Sequence, residues 1–232
     1  MTMSPQQLYD DLLYHFHHQY WWPVDAVYHR QHKGDPRVEI IIGAILTQNT
    51  AWSNVEKALR NLKNQHALSL NVIVSMDLET LKTMLQPAGF FNQKTNHILL
   101  FFSYLMEKYS GDLTSFFSRD TQELRNELLT MSGIGPETAD SILLYAGNHP
   151  IFVVDAYTKR ICKRIPMEIK SDSYDDVQHY FDGFFRRTLS KQERVTLYKE
   201  LHALLVELAK IYCKKTPICE HCPLTLRCKK IL

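Results

Sequence analysis

Four of the chain's five cysteines, Cys213, Cys219, Cys222 and Cys228, crowd into its last twenty residues with the spacing C-x5-C-x2-C-x5-C. Four thiols in so short a stretch point to a metal site. A helix-favouring run at 201–212 leads into them, and Pro217 and Pro223 bend the chain so that separated sulfurs can converge on one centre. Tetrahedral zinc and a cubic iron–sulfur cluster both accept four thiolates. Zinc ribbons pair two short knuckles, whereas here only Cys219 and Cys222 are close. The spacing therefore favours the iron–sulfur cluster, with zinc as the alternative. No signal peptide is read at the start of the chain, and disulfide pairing would leave Cys162 as an odd thiol, which argues against a secreted disulfide framework.

The 232 residues suffice for one large domain or two small ones with a real core, and 45% hydrophobic content excludes disorder. A formal charge of +2 argues against a histone-like electrostatic binder but leaves room for local basic patches. One such patch is Lys214, Lys215, Arg227, Lys229 and Lys230 around the cysteines. No apolar run approaches the roughly 20 residues that span a bilayer. The expectation is a soluble, monomeric protein of a reducing, cytoplasmic compartment with no membrane partner. His15, His17 and His18 share no common helical face and are expected at the surface.

Periodicity predicts helix nearly everywhere. Residues 38–46, 54–62, 78–85, 94–109, 121–131, 137–145 and 192–209 carry apolar side chains at three- and four-residue spacing. The β-branched run 151–154 is followed at once by Asp155 and a helical stretch, so it reads as a lead into a helix and not as a strand. The fold class is all-α.

The segment Leu128-Leu129-Thr130-Met131-Ser132-Gly133-Ile134-Gly135-Pro136-Glu137-Thr138-Ala139-Asp140 ends one helix and starts another. The glycines permit a tight turn, and Pro136 suits a first helical position. Outward amides and a positive helix end can hold a DNA phosphate without side chains. This is the pattern of a helix-hairpin-helix, with Gly133, Ile134, Gly135 and Thr138 as candidate DNA-contacting residues. The alternative is an ordinary helix–turn–helix corner.

Some twenty residues on comes Phe152-Val153-Val154-Asp155-Ala156-Tyr157-Thr158-Lys159-Arg160. Alone, Asp155 reads as an N-cap worth about 1 kcal/mol. Hairpin, Asp155 and cysteine loop in that order, with Leu46-Thr47-Gln48-Asn49-Thr50 and Gly89-Phe90-Phe91-Asn92-Gln93-Lys94, resemble the helix-hairpin-helix (HhH-GPD) DNA glycosylase superfamily that includes endonuclease III. The resemblance runs from Val38 to Cys228. It implies a six-helix domain over 29–149 and a cluster domain formed by 1–28 and 150–232, with the active-site cleft between them. It further implies a catalytic role for Asp155, a 4Fe-4S cluster on Cys213, Cys219, Cys222 and Cys228, and double-stranded DNA with damaged bases as partner.

Two departures from the family pattern carry information. The family's loop has six residues between its first two cysteines, and this chain has five. Where endonuclease III carries a lysine nucleophile after the hairpin, this chain has Glu137. A carboxylate cannot form a Schiff base, which points to a monofunctional enzyme without efficient AP lyase activity. Lys159 is a candidate substitute amine.

Tyr20-Trp21-Trp22-Pro23, with Trp52 beyond the Gln48 loop, is similar to the 3-methyladenine DNA glycosylase III branch. That branch implies a base pocket of Trp21, Trp22, Pro23 and Trp52, with Lys210 at its edge. One tryptophan is equally expected as a hydrophobic plug, and Lys210 as a solvated helix residue. Gln48 and Asn49 are candidates to fill the gap left by a flipped base, or to cap the helix ending near Leu46. Lys94 and Lys159 are candidate phosphate contacts. The expected reaction is release of an alkylated purine, in which water attack is assisted by Asp155. The alternatives are an endonuclease III-like glycosylase for damaged pyrimidines or a mismatched base, and a non-catalytic DNA-binding module.

Overall fold

A computed structural model describes residues 2–229, so Lys230 of the basic patch lies outside the described residues. The described residues form helices and no strand. In order the helices are α1 (Pro5–Phe16), α2 (Ala26–His32), α3 (Pro36–Leu46), α4 (Trp52–Asn64), α5 (Leu70–Ser75), α6 (Leu78–Leu85), α7 (Phe91–Tyr109), α8 (Leu113–Phe117), α9 (Thr121–Leu129), α10 (Pro136–Ser141), α11 (Ala156–Arg164), α12 (Tyr174–Phe185) and α13 (Lys191–Ile211). A 3-10 turn at Gln86–Ala88 precedes α7, and α10 runs on as a π turn over Ile142–Ala146.

The chain divides into two compact units, Pro23–Gly147 and the combination of Met1–Trp22 with Asn148–Leu232. The first is built around α3, whose residues from Val38 through Leu46 are all buried. An all-round apolar helix is stable only when enclosed. Here α4, α7, α10 and the π turn pack around α3. The hairpin helices α9 and α10 are clamped by a bidentate ion pair: Arg125 Nε donates to Asp140 Oδ1 at 2.8 Å and Nη2 to Oδ2 at 3.2 Å. Asp140 is fully buried, so this geometry is what offsets its desolvation.

In the second unit α13 is the central rod, contacted by α1 and α11, while α12 packs on both of those helices. Ser4 and Ser190 start α1 and α13 with reciprocal capping boxes to Gln7 and Glu193. The run 151–154 is buried extended chain leading into α11, as its sequence implies. Among the described residues no helix is long and apolar enough to cross a membrane.

Candidate active site

The hairpin turn of the Pro23–Gly147 unit needs its first glycine. Gly133 has φ +81°, and a Cβ there would sit 2.2 Å from His97 Nδ1. Ile134 and Thr138 are buried, so this turn presents backbone and not those side chains. The Gln48 amide does not cap α3. It donates to Gly133 O at 2.8 Å and to Thr138 Oγ1 at 2.9 Å, tying the Gln48 loop to the hairpin. Asn49 is exposed with φ +50°, a left-handed conformation that asparagine tolerates. Trp52 opens α4 and is partly exposed, Pro23 is exposed, and Glu137 is exposed in the first turn of α10.

Lys94 corrects an expectation. It is not a phosphate contact: it is 3% exposed, and its ammonium donates to Leu46 O, Thr50 Oγ1 and Ala88 O at 2.8, 2.6 and 2.9 Å. Burial pulls its pKa down to about 8. Its work is to join the end of α3, the Gln48 loop and the turn before α7.

In the other unit Asp155 is the N-cap of α11, its Oδ1 accepting from Thr158 N–H at 2.7 Å. Its Oδ2 lies 3.7 Å from His202 Nε2, with both side chains largely buried. Burial raises the carboxyl pKa, but the His202 contact and the Thr158 hydrogen bonds outweigh it, and the net displacement is downward. The Trp21 ring meets His202 edge-on at 6.0 Å between centroids and Trp22 at 6.2 Å. Lys210 lies with its ammonium 5.4 Å from the Trp21 ring centroid while pairing with Glu207 at 3.0 Å. Asp155, His202, Trp21 and Lys210 thus form one continuous group.

Sequence reasoning misses two members of this neighbourhood, Glu200 and His202. Glu200 accepts from Gln19 N–H at 2.5 Å and from Tyr20 N–H at 3.4 Å, so α13 holds the segment that carries Trp21. The available signal is that Glu200 and His202 are, with Lys199, the polar residues inside the largely apolar run 197–206. Lys159 has its ammonium 5.9 Å from the Tyr174 ring centroid. His15, His17 and His18 are exposed.

The cysteine loop is fastened to the far end of the helix that Asp155 begins. Arg160 Nε donates to Cys213 O at 2.8 Å, and Arg164 donates to Lys214 O at 2.7 Å and Lys215 O at 3.0 Å. Cys213, Cys219, Cys222 and Cys228 line one cavity with Arg164, Tyr212, Pro217, Ile218 and Thr225. Arg164 Nη1 lies 3.3 Å from Cys213 Sγ, and Cys228 Sγ donates to Arg164 O at 3.2 Å. Burial raises the Cys222 thiol, and the other three sulfurs add to the effect. Such a set fits a polynuclear thiolate-bound centre, with a cation at hand to offset thiolate charge. Among the described residues no three His, Cys, Asp or Glu side chains are grouped to hold a single metal ion. Lys214, Lys215 and Lys229 are exposed, whereas Arg227 is paired with Asp11 at 3.2 Å.

The fold and these groups define a class, and sequence comparison agrees. Residues 42–187 match the HhH-GPD superfamily base excision DNA repair protein family. The chain belongs to that superfamily and is a DNA glycosylase of base excision repair. It is 40% identical over 223 residues to a "putative DNA repair glycosylase" of Methanocaldococcus jannaschii, covering 96% of this chain and 94% of that one. It is 26% identical over 201 residues to endonuclease III of Thermotoga maritima, covering 86% of each. Among solved structures, H. pylori 3-methyladenine DNA glycosylase bound to 1,N6-ethenoadenine matches with TM-score 0.64 and 30% identity, covering 77% of this chain and 90% of that one. A trapped endonuclease III–DNA covalent intermediate matches with TM-score 0.74 over 98% of this chain and 97% of that one; at 21% identity it speaks for the fold alone.

Proposed function

We propose that the protein is a monofunctional DNA glycosylase that releases alkylated, positively charged purines. The observation that carries this reading is the group Asp155, His202 and Trp21, which brings a carboxylate and an aromatic face together within one unit. The Trp21 ring already faces a cation, the Lys210 ammonium, and aromatic faces attract cations by about 0.5–2 kcal/mol per good contact. A cationic purine uses the same attraction. The H. pylori relative, a 3-methyladenine glycosylase with a modified adenine bound, supports this branch.

Cleavage of the C1′–N bond sends its electron pair to the ring nitrogen and neutralises the purine, so little general acid is needed. Asp155 as carboxylate stabilises the oxocarbenium-like sugar and accepts a proton from the water whose oxygen bonds to C1′. Trp21 and Trp22 would stack on the base, with Lys210 beside Trp21, and Pro23 and Trp52 keep the base-pocket role that the family resemblance implies. Gly133 and Gly135 bring backbone amides to a phosphate, while Ile134 and Thr138 brace the turn from inside. Gln48 positions the hairpin, and Asn49 is the exposed residue available to the duplex gap. Glu137, in place of an amine, supports reaction by water without strand cleavage.

The cysteines suit a 4Fe-4S cluster, with zinc as the alternative. Such a centre would hold the loop in shape. Lys214, Lys215 and Lys229 would then face phosphate. The 29–149 and 1–28 with 150–232 division into hairpin and cluster domains is part of the same proposal.

Replacing Trp21 with Ala tests the pocket. Expected is a rise in KM or a fall in kcat on alkylated DNA, with unmodified-duplex affinity retained. Unchanged kinetics would remove Trp21 from the pocket.

A further inference from the structure

The carboxylate of Asp155 is held from two directions by different helices. One oxygen is bound by the backbone of its own helix, through the 2.7 Å bond from Thr158 N–H. The other faces His202 Nε2 from α13 at 3.7 Å, an ion-pair distance that a small adjustment turns into a hydrogen bond. An N-cap needs only the first contact. The second places a buried histidine between the carboxylate and the Trp21 ring, since His202 also touches Trp21 edge-on at 6.0 Å.

We propose that His202 is a positioning residue for Asp155, gripping Oδ2 through Nε2, fixing the carboxylate beside the Trp21 wall and holding it as an anion. This inference rests on the glycosylase reading above, in which Asp155 acts at the sugar. It gives α13 a double task. Glu200 holds the Gln19 and Tyr20 amides, and His202 holds the carboxylate, so one helix fixes the spacing between aromatic wall and anion.

Against burial, the carboxylate of Asp155 is held by His202 first and by Thr158 next. On α11, Cys162 is buried and its thiol is pushed up to about 12, by burial first and next by the Asp155 charge, so it stays neutral. Lys159, also on α11, lies over the Tyr174 ring of α12, and the Tyr174 hydroxyl accepts from Val154 N–H at 3.4 Å. On α13 itself, Glu200 is taken up by Gln19, Tyr20 and His18. On α1, Tyr9 is coupled to Glu200 and Asp10. With His202 removed, the Thr158 hydrogen bonds are left to oppose burial, and the carboxyl shifts towards protonation.

The test compares the intact protein with His202→Leu and His202→Gln. Base release from methylated DNA is followed against pH, together with a carbon-13 NMR titration of the Asp155 carboxyl without DNA. Expected for His202→Leu is a fall in kcat of about 10–100-fold at neutral pH with little change in KM. Its acid limb of kcat moves to higher pH, and the carboxyl titration moves with it. His202→Gln, which keeps a donor, recovers much of the rate and lies between the two. A folded His202→Leu protein whose Asp155 titrates as in the wild type overturns the inference, whatever its rate. If the wild type releases no base, the glycosylase reading fails, and the NMR titration still decides the contact between His202 and Asp155.

Discussion

The side-chain amide of Gln48 donates to the carbonyl oxygen of Gly133 at 2.8 Å, joining two loops that stand 85 residues apart in the chain. The same amide reaches Thr138 Oγ1 at 2.9 Å. The Leu46 to Thr50 segment and the hairpin, which read as two separate motifs, therefore form one local surface. Lys94 supports that surface from beneath by binding both Leu46 O and Thr50 Oγ1. Gln48 and Lys94 thus add side-chain bonds that fix the positions of both loops.

The two hairpin glycines should respond differently to alanine. Gly133 has φ +81°, and a Cβ on it would stand within 2.3 Å of the His97 ring, so Gly133→Ala should cost about 2–4 kcal/mol and weaken DNA binding. Gly135 has φ −89° and nothing within 4 Å, so Gly135→Ala should leave stability within about 0.5 kcal/mol while impairing close approach of phosphate. Denaturant melts and duplex titrations of both variants check this.

Lys94 gives stability a specific pH dependence. Its pKa is about 8 in the folded protein against an ordinary 10.5, so between those values the unfolded chain binds more protons. The Lys94 contribution to stability therefore rises with pH from about 8 to 10.5. Lys94→Met should lose about 2–4 kcal/mol by removing the donor shared by Leu46 O, Thr50 Oγ1 and Ala88 O, and its stability curve should lack that rise. Equilibrium unfolding across the window, wild type against variant, measures both.

Arg164 should matter to the cysteine loop beyond its charge. It binds Lys214 O, Lys215 O and the Cys213 sulfur at once. Arg164→Ala should lower the iron and sulfide content of purified protein and its broad visible absorbance, as should Cys222→Ser. A colourless wild type holding one zinc per chain would replace the cluster with the alternative centre.

Asp155→Asn separates capping from chemistry. Asparagine caps a helix as well as aspartate does, so the fold and DNA binding should persist while base release drops by about 10²–10⁴-fold. Release that continued undiminished would remove Asp155 from the reaction.

What is legible in the sequence follows from local physics. The helix at 78–85 is read to the residue, and α3, α4, α7, α9 and α13 nearly so, because apolar spacing persists over several turns. The helices α1, α2, α5, α8 and α12 escape a reading by periodicity, although Ser4 with Pro5 and Gln7, and Ser173 with Asp175 and Asp176, are sound start signals for α1 and α12. The stretch that reads as one helix over 137–145 is α10 followed by a π turn, a change of hydrogen-bond register that apolar spacing does not reveal. At the site, Asp155 stands out by its place before a helix, whereas His202 does not, since its partner lies 47 residues away in sequence and only packing brings them together. Lys94 misleads because a charged helical residue is usually solvated, and nothing local announces three carbonyl or hydroxyl acceptors converging on it.

Base release from methylated genomic DNA, alongside duplexes carrying hypoxanthine, thymine glycol or an A·G mismatch, with products separated before any alkali treatment, decides whether the enzyme is a monofunctional alkylpurine glycosylase. Free 3-methyladenine with the strands intact is the expected result. Release of a damaged pyrimidine or a mismatched base in its place, strand cleavage without alkali, or no release from any substrate would contradict it.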